Sequence, residues 1–584
     1  MLPIPIKGGL VQSVVSRPAS IAALLFALSA PDLASAQVPP PPPPVPMGQP
    51  RDAGAQTQKT GTAKLSGRVT SLDTGRPIRR AVVRASGQEL REGKSVSTDA
   101  EGRWELREIP AGRFTVSVNK GGYVSLSYGQ QRPFESGKTI EVADGQTVEK
   151  LDVALPRGSA VTGRVVDEFG EPLTSVRVSP MRHRFTGGQR RLVAMGAGDT
   201  TDDLGQFRLH GLAPGEYFIA AQPTSFMFVG NSDDRTGYGE TYYPGTLNPA
   251  EATRVTLAVG QEAQNIIIPL SPMRVATISG TVTTSTGKPI AQAMGMFRSS
   301  SPSGMFFARP AMVRDGAWSV SGVVPGDYEL MIQYIDPAVM ERAAMAGSLA
   351  GISGGESAVE QITVSGDDIR GISIVTTPGG RATGQIRFEG SPAPPFTSGA
   401  SVQGFDRENS FPTMFAGGMV KADWTFELTG LMGRRILRPS GLPAGWMVKA
   451  ITLDGTDVTD SGVEFKSGQE VSGIEVLMTK VAAEISGTVQ NAKGTALTDY
   501  VVVLFPPESE RWGWQSRFVR VARPNQTGQF VITGLPAGSY LAVALEYLEP
   551  GEESSPEFLE RLKPAATGVK VTDGEKKSVT LKMQ

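Results

Sequence analysis

Short stretches of this chain alternate apolar and polar residues, and the alternation is broken in the same way several times. An aromatic residue is followed five positions later by an aliphatic one and then by a Pro/Gly turn. The copies run from Trp104 to Ile109-Pro110-Ala111-Gly112, Phe207 to Leu212-Ala213-Pro214-Gly215, Trp318 to Val323-Val324-Pro325-Gly326 and Phe530 to Leu535-Pro536-Ala537-Gly538. Two residues past each glycine stands a second aromatic: Phe114, Tyr217, Tyr328 and Tyr540. A fainter copy, Phe426 to Leu431-Met432-Gly433, keeps the first spacing without the proline. The five leading aromatics lie 103, 111, 108 and 104 residues apart. That interval is one small domain, so the pattern predicts five related units in a row.

Period-two alternation predicts strands whose aromatics face inward. Proline ends the ladder, glycine allows the reversal, and the next strand begins inward again. Ahead of the leading aromatic stand the turns Asp99-Ala100-Glu101-Gly102, Asp202-Asp203-Leu204-Gly205 and Asn525-Gln526-Thr527-Gly528. Asp or Asn there accepts backbone N–H bonds and glycine closes the turn. The two strands flanking this turn, with the third beyond the Pro/Gly turn, predict a meander. Each unit opens alike, at Gly67-Arg68-Val69, Gly163-Arg164-Val165, Gly280-Thr281-Val282, Gly384-Gln385-Ile386 and Gly487-Thr488-Val489, and three continue with Gly-x-Pro turns. Each closes with an alternating strand such as Leu151-Asp152-Val153-Ala154-Leu155. About seven strands in roughly 100 residues is the arithmetic of an immunoglobulin-like sandwich.

Composition narrows the function. The 584 residues carry a net charge of −1, which argues against nucleic acid as a partner. Absence of cysteine excludes disulfides, a thiol nucleophile, a cysteine-anchored lipid and cysteine zinc sites. At the start, Lys7 and Arg17 flank the ten-residue apolar run from Ile21 to Ala30, and Ala34-Ser35-Ala36 follows. This predicts a signal peptide over 1–36, cleaved before Gln37, and hence a periplasmic or extracellular protein. The run is too short to span a bilayer, so the chain is not membrane-spanning once the signal is removed. Residues 37–63 open on the proline run Pro39 to Pro44 and predict a Pro-rich disordered linker.

The order Ser/Thr-Gly-x-Val, Gly-x-Pro-Leu, Asp-x-x-Gly-x-Phe and Leu-Pro-x-Gly-x-Tyr resembles the carboxypeptidase regulatory-like domain, and the resemblance covers nearly everything after residue 63. It implies a transthyretin-like β-sandwich, akin to starch-binding-like and collagen-adhesin B-type modules, in a secreted setting and without activity of its own. The expected architecture is all-β: a tandem array of five immunoglobulin-like or transthyretin-like sandwiches at 64–157, 158–273, 274–379, 380–480 and 481–584, the fourth divergent.

Few residues offer chemistry. The zinc peptidases that carry such domains need His-x-x-Glu, whereas His183 precedes Arg184-Phe185-Thr186 and His210 precedes Gly211-Leu212-Ala213. Gly351-Ile352-Ser353-Gly354-Gly355 fits the nucleophile-elbow pattern, but no histidine follows residue 210 to act as base. No enzyme and no cofactor are expected. Trp104 and Trp318 occupy the positions of Phe207 and Phe530 and read as core. Trp512 and Trp514, two apart with Arg511 and Arg517 nearby, have no counterpart in other units; they read either as a sugar-stacking pair or as a hydrophobic clasp. Tyr242 and Tyr243 lie in an aromatic-rich insertion that also holds Asn231-Ser232-Asp233-Asp234, a weak calcium candidate or a solvated turn. The basic pair Met181-Arg182-His183-Arg184 and Arg190-Arg191 reads as solvated hairpin charge or an anion contact. Pro556 to Leu562 predicts a short helix. The expected partner is protein or glycan at the cell envelope.

Overall fold

The computed structural model describes residues 61–584, except 133, 187–188, 224–235, 301–308, 338–340, 342–354, 391, 397–398, 407–415, 444 and 514. The expected signal peptide and nearly all of the Pro-rich linker lie outside the described residues. Everything described is built from strands with short connecting turns, and one α-helix of more than one turn, Pro556–Leu562. Five large apolar clusters succeed one another along the chain, one within each unit of the sequence repeat.

In each unit the opening strand is central to one sheet. In unit one Ala63–Ser71 pairs antiparallel with Arg103–Ile109 and parallel with Val153–Leu155. In unit five Ala483–Gln490 lies between Phe530–Leu535, antiparallel, and Lys576–Lys582, parallel. The second sheet of unit one holds Leu90–Ser97, Val82–Gly87 and Gly112–Asn119. Units three and four build the same ladders, joined into continuous sheets of eight and nine strands.

The predicted meander is therefore wrong in units one, two and five. The strand before the Asp or Asn turn belongs to one sheet and the aromatic strand to the other. The Pro/Gly turn then crosses back between sheets. The reason is packing: Trp104 and Phe114 stand on consecutive strands, both face one core, and they do so from opposite sheets.

The repeated glycine and the repeated aromatic explain each other. Trp104, Phe207, Trp318, Phe426 and Phe530 lie directly opposite Gly67, Gly163, Gly280, Gly384 and Gly487. A Cβ on Gly384 would sit 2.4 Å from the Phe426 ring, and one on Gly487 would sit 1.8 Å from the Val579 carbonyl oxygen. Only glycine leaves room for the ring to lie across the opening strand while the closing strand passes beside it. The same register in unit four makes Phe426 the equivalent of the other four aromatics.

The second aromatic fastens the arch. The hydroxyls of Tyr217, Tyr328 and Tyr540 donate to the carbonyls of Ala213, Val324 and Pro536, four residues upstream, at 2.7, 2.9 and 2.7 Å. Burial pushes the Tyr328 and Tyr540 hydroxyls up to about 12, so they remain donors across the neutral range. Before the leading aromatic, the side-chain oxygen of Asp99 accepts from the N–H groups of Glu101 and Arg103. Asp202 and Asn525 do the same in units two and five.

Candidate functional site

Unit five carries a second apolar cluster outside its sandwich. Its strand Val501–Phe505 is buried along its whole length, because one face meets the core and the other meets the helix Pro556–Leu562. Ser555 caps that helix and Phe558 and Leu559 point into the cluster. Trp512 closes it. The residue is 7% exposed, its ring meets Phe505 edge-on at 5.8 Å, and its indole N–H donates to the Pro506 carbonyl at 2.7 Å. The Lys563 ammonium lies 4.7 Å from the ring centroid. The Trp512 ring thus packs within this cluster, against Phe505 and under Lys563, at the edge of the sandwich. Trp514 lies outside the described residues.

Tyr242 is also buried, at 2% exposure, in a small cluster with Met181, Leu192 and Phe218, while Tyr243 is half-buried against the main core of unit two. The structure does not bring Trp512 together with either tyrosine in one cluster. The Asn231 to Asp234 turn and the Gly351 to Gly354 segment lie outside the described residues. Among the described residues, no group of three or more His, Cys, Asp or Glu side chains is placed to hold a metal ion. His183 packs edge-on against Phe218 at 5.3 Å. Burial, then the charges of Arg190 and Arg254, hold it below the ordinary histidine value.

Beside Trp512 opens a cleft of about 1000 Å³, walled by units two, four and five through Gln189, Arg434, Arg438, Glu464, Arg511 and Glu557 among others. Two of its lining residues, Arg438 and Asp460, belong to an arginine–carboxylate network. Arg517 grips both oxygens of Asp460 at 2.9–3.1 Å and donates to the Val448 and Lys449 carbonyls. Arg438 donates to the Thr459 carbonyl at 2.8 Å and to Asp460 at 3.4 Å. Burial lowers the pKa of Arg438, partly offset by Asp460. The network bonds unit four to unit five, and the cleft's lining carries charges of both signs.

The basic hairpin of unit two also has a structural task. Arg182 and Arg184 lie over the ring of Phe134, a residue of unit one, at 5.1 and 5.6 Å. The loop that carries Phe134 continues onto unit five. Arg132 pairs with Glu546 at 3.1 Å and stacks on Tyr547. Arg523 pairs with Glu135 at 3.0 Å and donates to the Ser136 carbonyl at 2.7 Å. Lys138 reaches the Thr498 carbonyl at 2.6 Å. Gln526 exchanges two hydrogen bonds with the backbone of Glu141, at 2.7 and 3.0 Å. Sequence reasoning missed this contact between the first and last units. A trace of it is legible: the loop from Gly129 to Lys138 mixes Arg132, Phe134, Glu135 and Lys138, more charge and aromatic surface than a bare connection needs.

Among the described residues no helix is long and apolar enough to cross a membrane. No curated protein sequence matches this one. Among solved structures, the Bacillus anthracis TIE protein matches at 15% identity with a TM-score of 0.15, over 54% of this chain and 51% of that one. This chain thus spans about half the length of that protein. GBS52, the minor pilin of Streptococcus agalactiae, matches at 12% identity and TM-score 0.21, over 36% of this chain and 97% of that one. The RrgB pilus protein of Streptococcus pneumoniae matches at 9% identity and TM-score 0.14, over 73% and 98%. The first unit, over residues 64–156, matches the carboxypeptidase regulatory-like domain.

Proposed function

We propose that this chain is a non-enzymatic binding scaffold of the cell envelope, exported to the periplasm or the cell exterior and built of five sandwiches at 64–157, 158–273, 274–379, 380–480 and 481–584. The observation that carries this reading is the clasp of unit one on unit five, centred on Glu135 and Arg523 with 9% and 6% of their side chains exposed. Beads on a string need no such bond. A scaffold that holds its loops in one fixed arrangement does, because preorganisation lowers the cost of binding. Among the described residues, Trp512 and Tyr242 are packed in apolar clusters, and Arg438 and Arg517 bond unit four to unit five. What remains open to a partner is the mixed-charge cleft of units two, four and five. Its chemistry suits a polar protein segment better than an apolar ligand.

The test is expression of the full chain in a bacterial host, followed by fractionation, N-terminal sequencing and retention on envelope proteins and on insoluble polysaccharides. The expected result is a chain beginning at Gln37 outside the cytosol, retained by envelope protein, with retention weakened in Arg434→Glu/Arg511→Glu. A cytosolic chain starting at Met1 contradicts export. Retention on polysaccharide alone makes the partner a glycan, and retention untouched by the charge reversals removes the cleft from the account.

A further inference from the structure

The outer sheet face of unit three presents an unusual set of side chains. Met294 and Met296 stand two apart on Gln292–Ser299 and flank the buried Gly295, so both point outward. Met312, on Arg309–Arg314, lies directly opposite Met294. Met331, on Gly326–Tyr334, lies directly opposite Met296. Met294, Met296 and Met312 are 66%, 37% and 41% exposed, and Met331 is half-buried. The neighbours completing these two rows are Gln333 and Ser357 in one and Pro310 and Val359 in the other, none of them charged.

Directly opposed residues on neighbouring strands have Cβ atoms about 5 Å apart, and residues two apart on one strand are separated by roughly 7 Å. A methionine side chain has three rotatable bonds and swings its sulfur freely when exposed. Three thioethers of this quartet therefore reach a common point above the sheet without disturbing the core. Strand preference does not account for the set, since β-branched and aromatic residues serve a sheet surface better. The Gln333 amide donates to the Met331 sulfur at 3.9 Å, and both stand on the same face of Gly326–Tyr334.

We propose that Met294, Met296, Met312 and Met331 form a binding site for a soft monovalent metal ion, Cu(I) or its analogue Ag(I). Thioethers are neutral, hold no proton at any working pH and prefer soft cations. They have little affinity for calcium, magnesium or zinc, whose sites use oxygen, imidazole or thiolate. The bound ion keeps its oxidation state, so binding requires no redox partner.

The experiment titrates the full chain with Ag(I), and with Cu(I) under anaerobic conditions against a chromophoric chelator, after labelling the methionine methyl groups with ¹³C. The quartet's methyl signals should shift together and saturate at one ion per chain. Leucine preserves bulk and apolarity without the sulfur, so Met294→Leu/Met296→Leu/Met312→Leu/Met331→Leu should melt with the parent and bind at least about tenfold more weakly. A pair variant, Met294→Leu/Met312→Leu, gives the same reading if the quadruple one fails to fold. The chain holds 19 methionines, so binding that survives these substitutions belongs elsewhere and overturns the proposal. Absence of saturable Ag(I) binding to the parent, or an equal response to Zn(II), overturns it too.

Discussion

Glu135 of the first unit and Arg523 of the last are paired at 3.0 Å, with both side chains almost fully withdrawn from solvent. Glu135 also accepts the N–H groups of Gln131 and Arg132. Arg523 donates to the Ser136 carbonyl and pairs with Asp499. Removing one partner of a buried ion pair strands the other charge. Arg523→Gln should therefore cost about 3–5 kcal/mol of the docking of unit one on unit five. Each unit's own sandwich should remain folded, since its core is separate. Amide exchange will check this: faster exchange confined to the facing segments agrees, and global unfolding does not.

The arch hydroxyl is a smaller effect. Tyr540→Phe keeps the buried ring and removes the donor to Pro536, which should destabilise unit five by about 0.5–1.5 kcal/mol in denaturant unfolding. Unit one carries Phe114 at the matching position, so Phe114→Tyr is the complementary variant.

At Gly487 the added methyl of alanine meets the Val579 carbonyl and the Phe530 ring. Gly487→Ala should cost about 1–3 kcal/mol, the range of overpacking, and more if the sheet cannot yield. Thermal melting of unit five reads this directly; an unchanged melting temperature contradicts the register.

Trp512→Ala removes a buried indole and leaves the Pro506 carbonyl without its donor, so it should destabilise by about 3–5 kcal/mol. Polysaccharide retention should be unaffected in the folded fraction. Lost retention with undiminished stability would make the ring a ligand platform.

Glu356 predicts a pH dependence. Burial alone would raise its pKa, but hydrogen bonds from Ser285 and Thr376 outweigh burial and bring it below the ordinary glutamate value of 4.5. The folded state thus favours the carboxylate. Its contribution is complete above the unfolded-state value and is lost as pH falls through the lower folded one. Glu356→Gln should weaken unit three at pH 7 and differ progressively less from the parent on acidification, as unfolding curves at several pH values will show.

The repeat was legible because it follows backbone geometry. An aromatic opposite a glycine, an Asp that caps a turn and a Pro/Gly arch are local devices, and local devices leave spacings in the sequence. The crossing between sheets reads as a meander in the sequence because alternation reports which face a residue points to, and says nothing of which sheet it joins. Trp512 has no counterpart in the repeat because its partners, Phe558 and Leu559, lie in a distant insertion. The unbroken apolar run Val501-Val502-Val503-Leu504-Phe505 was the available sign, since a strand covered on both faces loses its alternation. The pairing of Glu135 with Arg523 left no spacing at all, for it depends on how whole units are placed.

That placement is best tested by cross-linking, because the chain has no cysteine of its own. Ser136 and Thr498 each receive a bond across the junction, from Arg523 and Lys138. In Ser136→Cys/Thr498→Cys, a short bifunctional maleimide at high dilution should join the two residues within one chain, and adding Arg523→Glu should sharply reduce the yield. A double-cysteine chain that stays uncross-linked, or that links only between molecules, would mean that the first and last units do not meet and that the sandwiches form no closed scaffold.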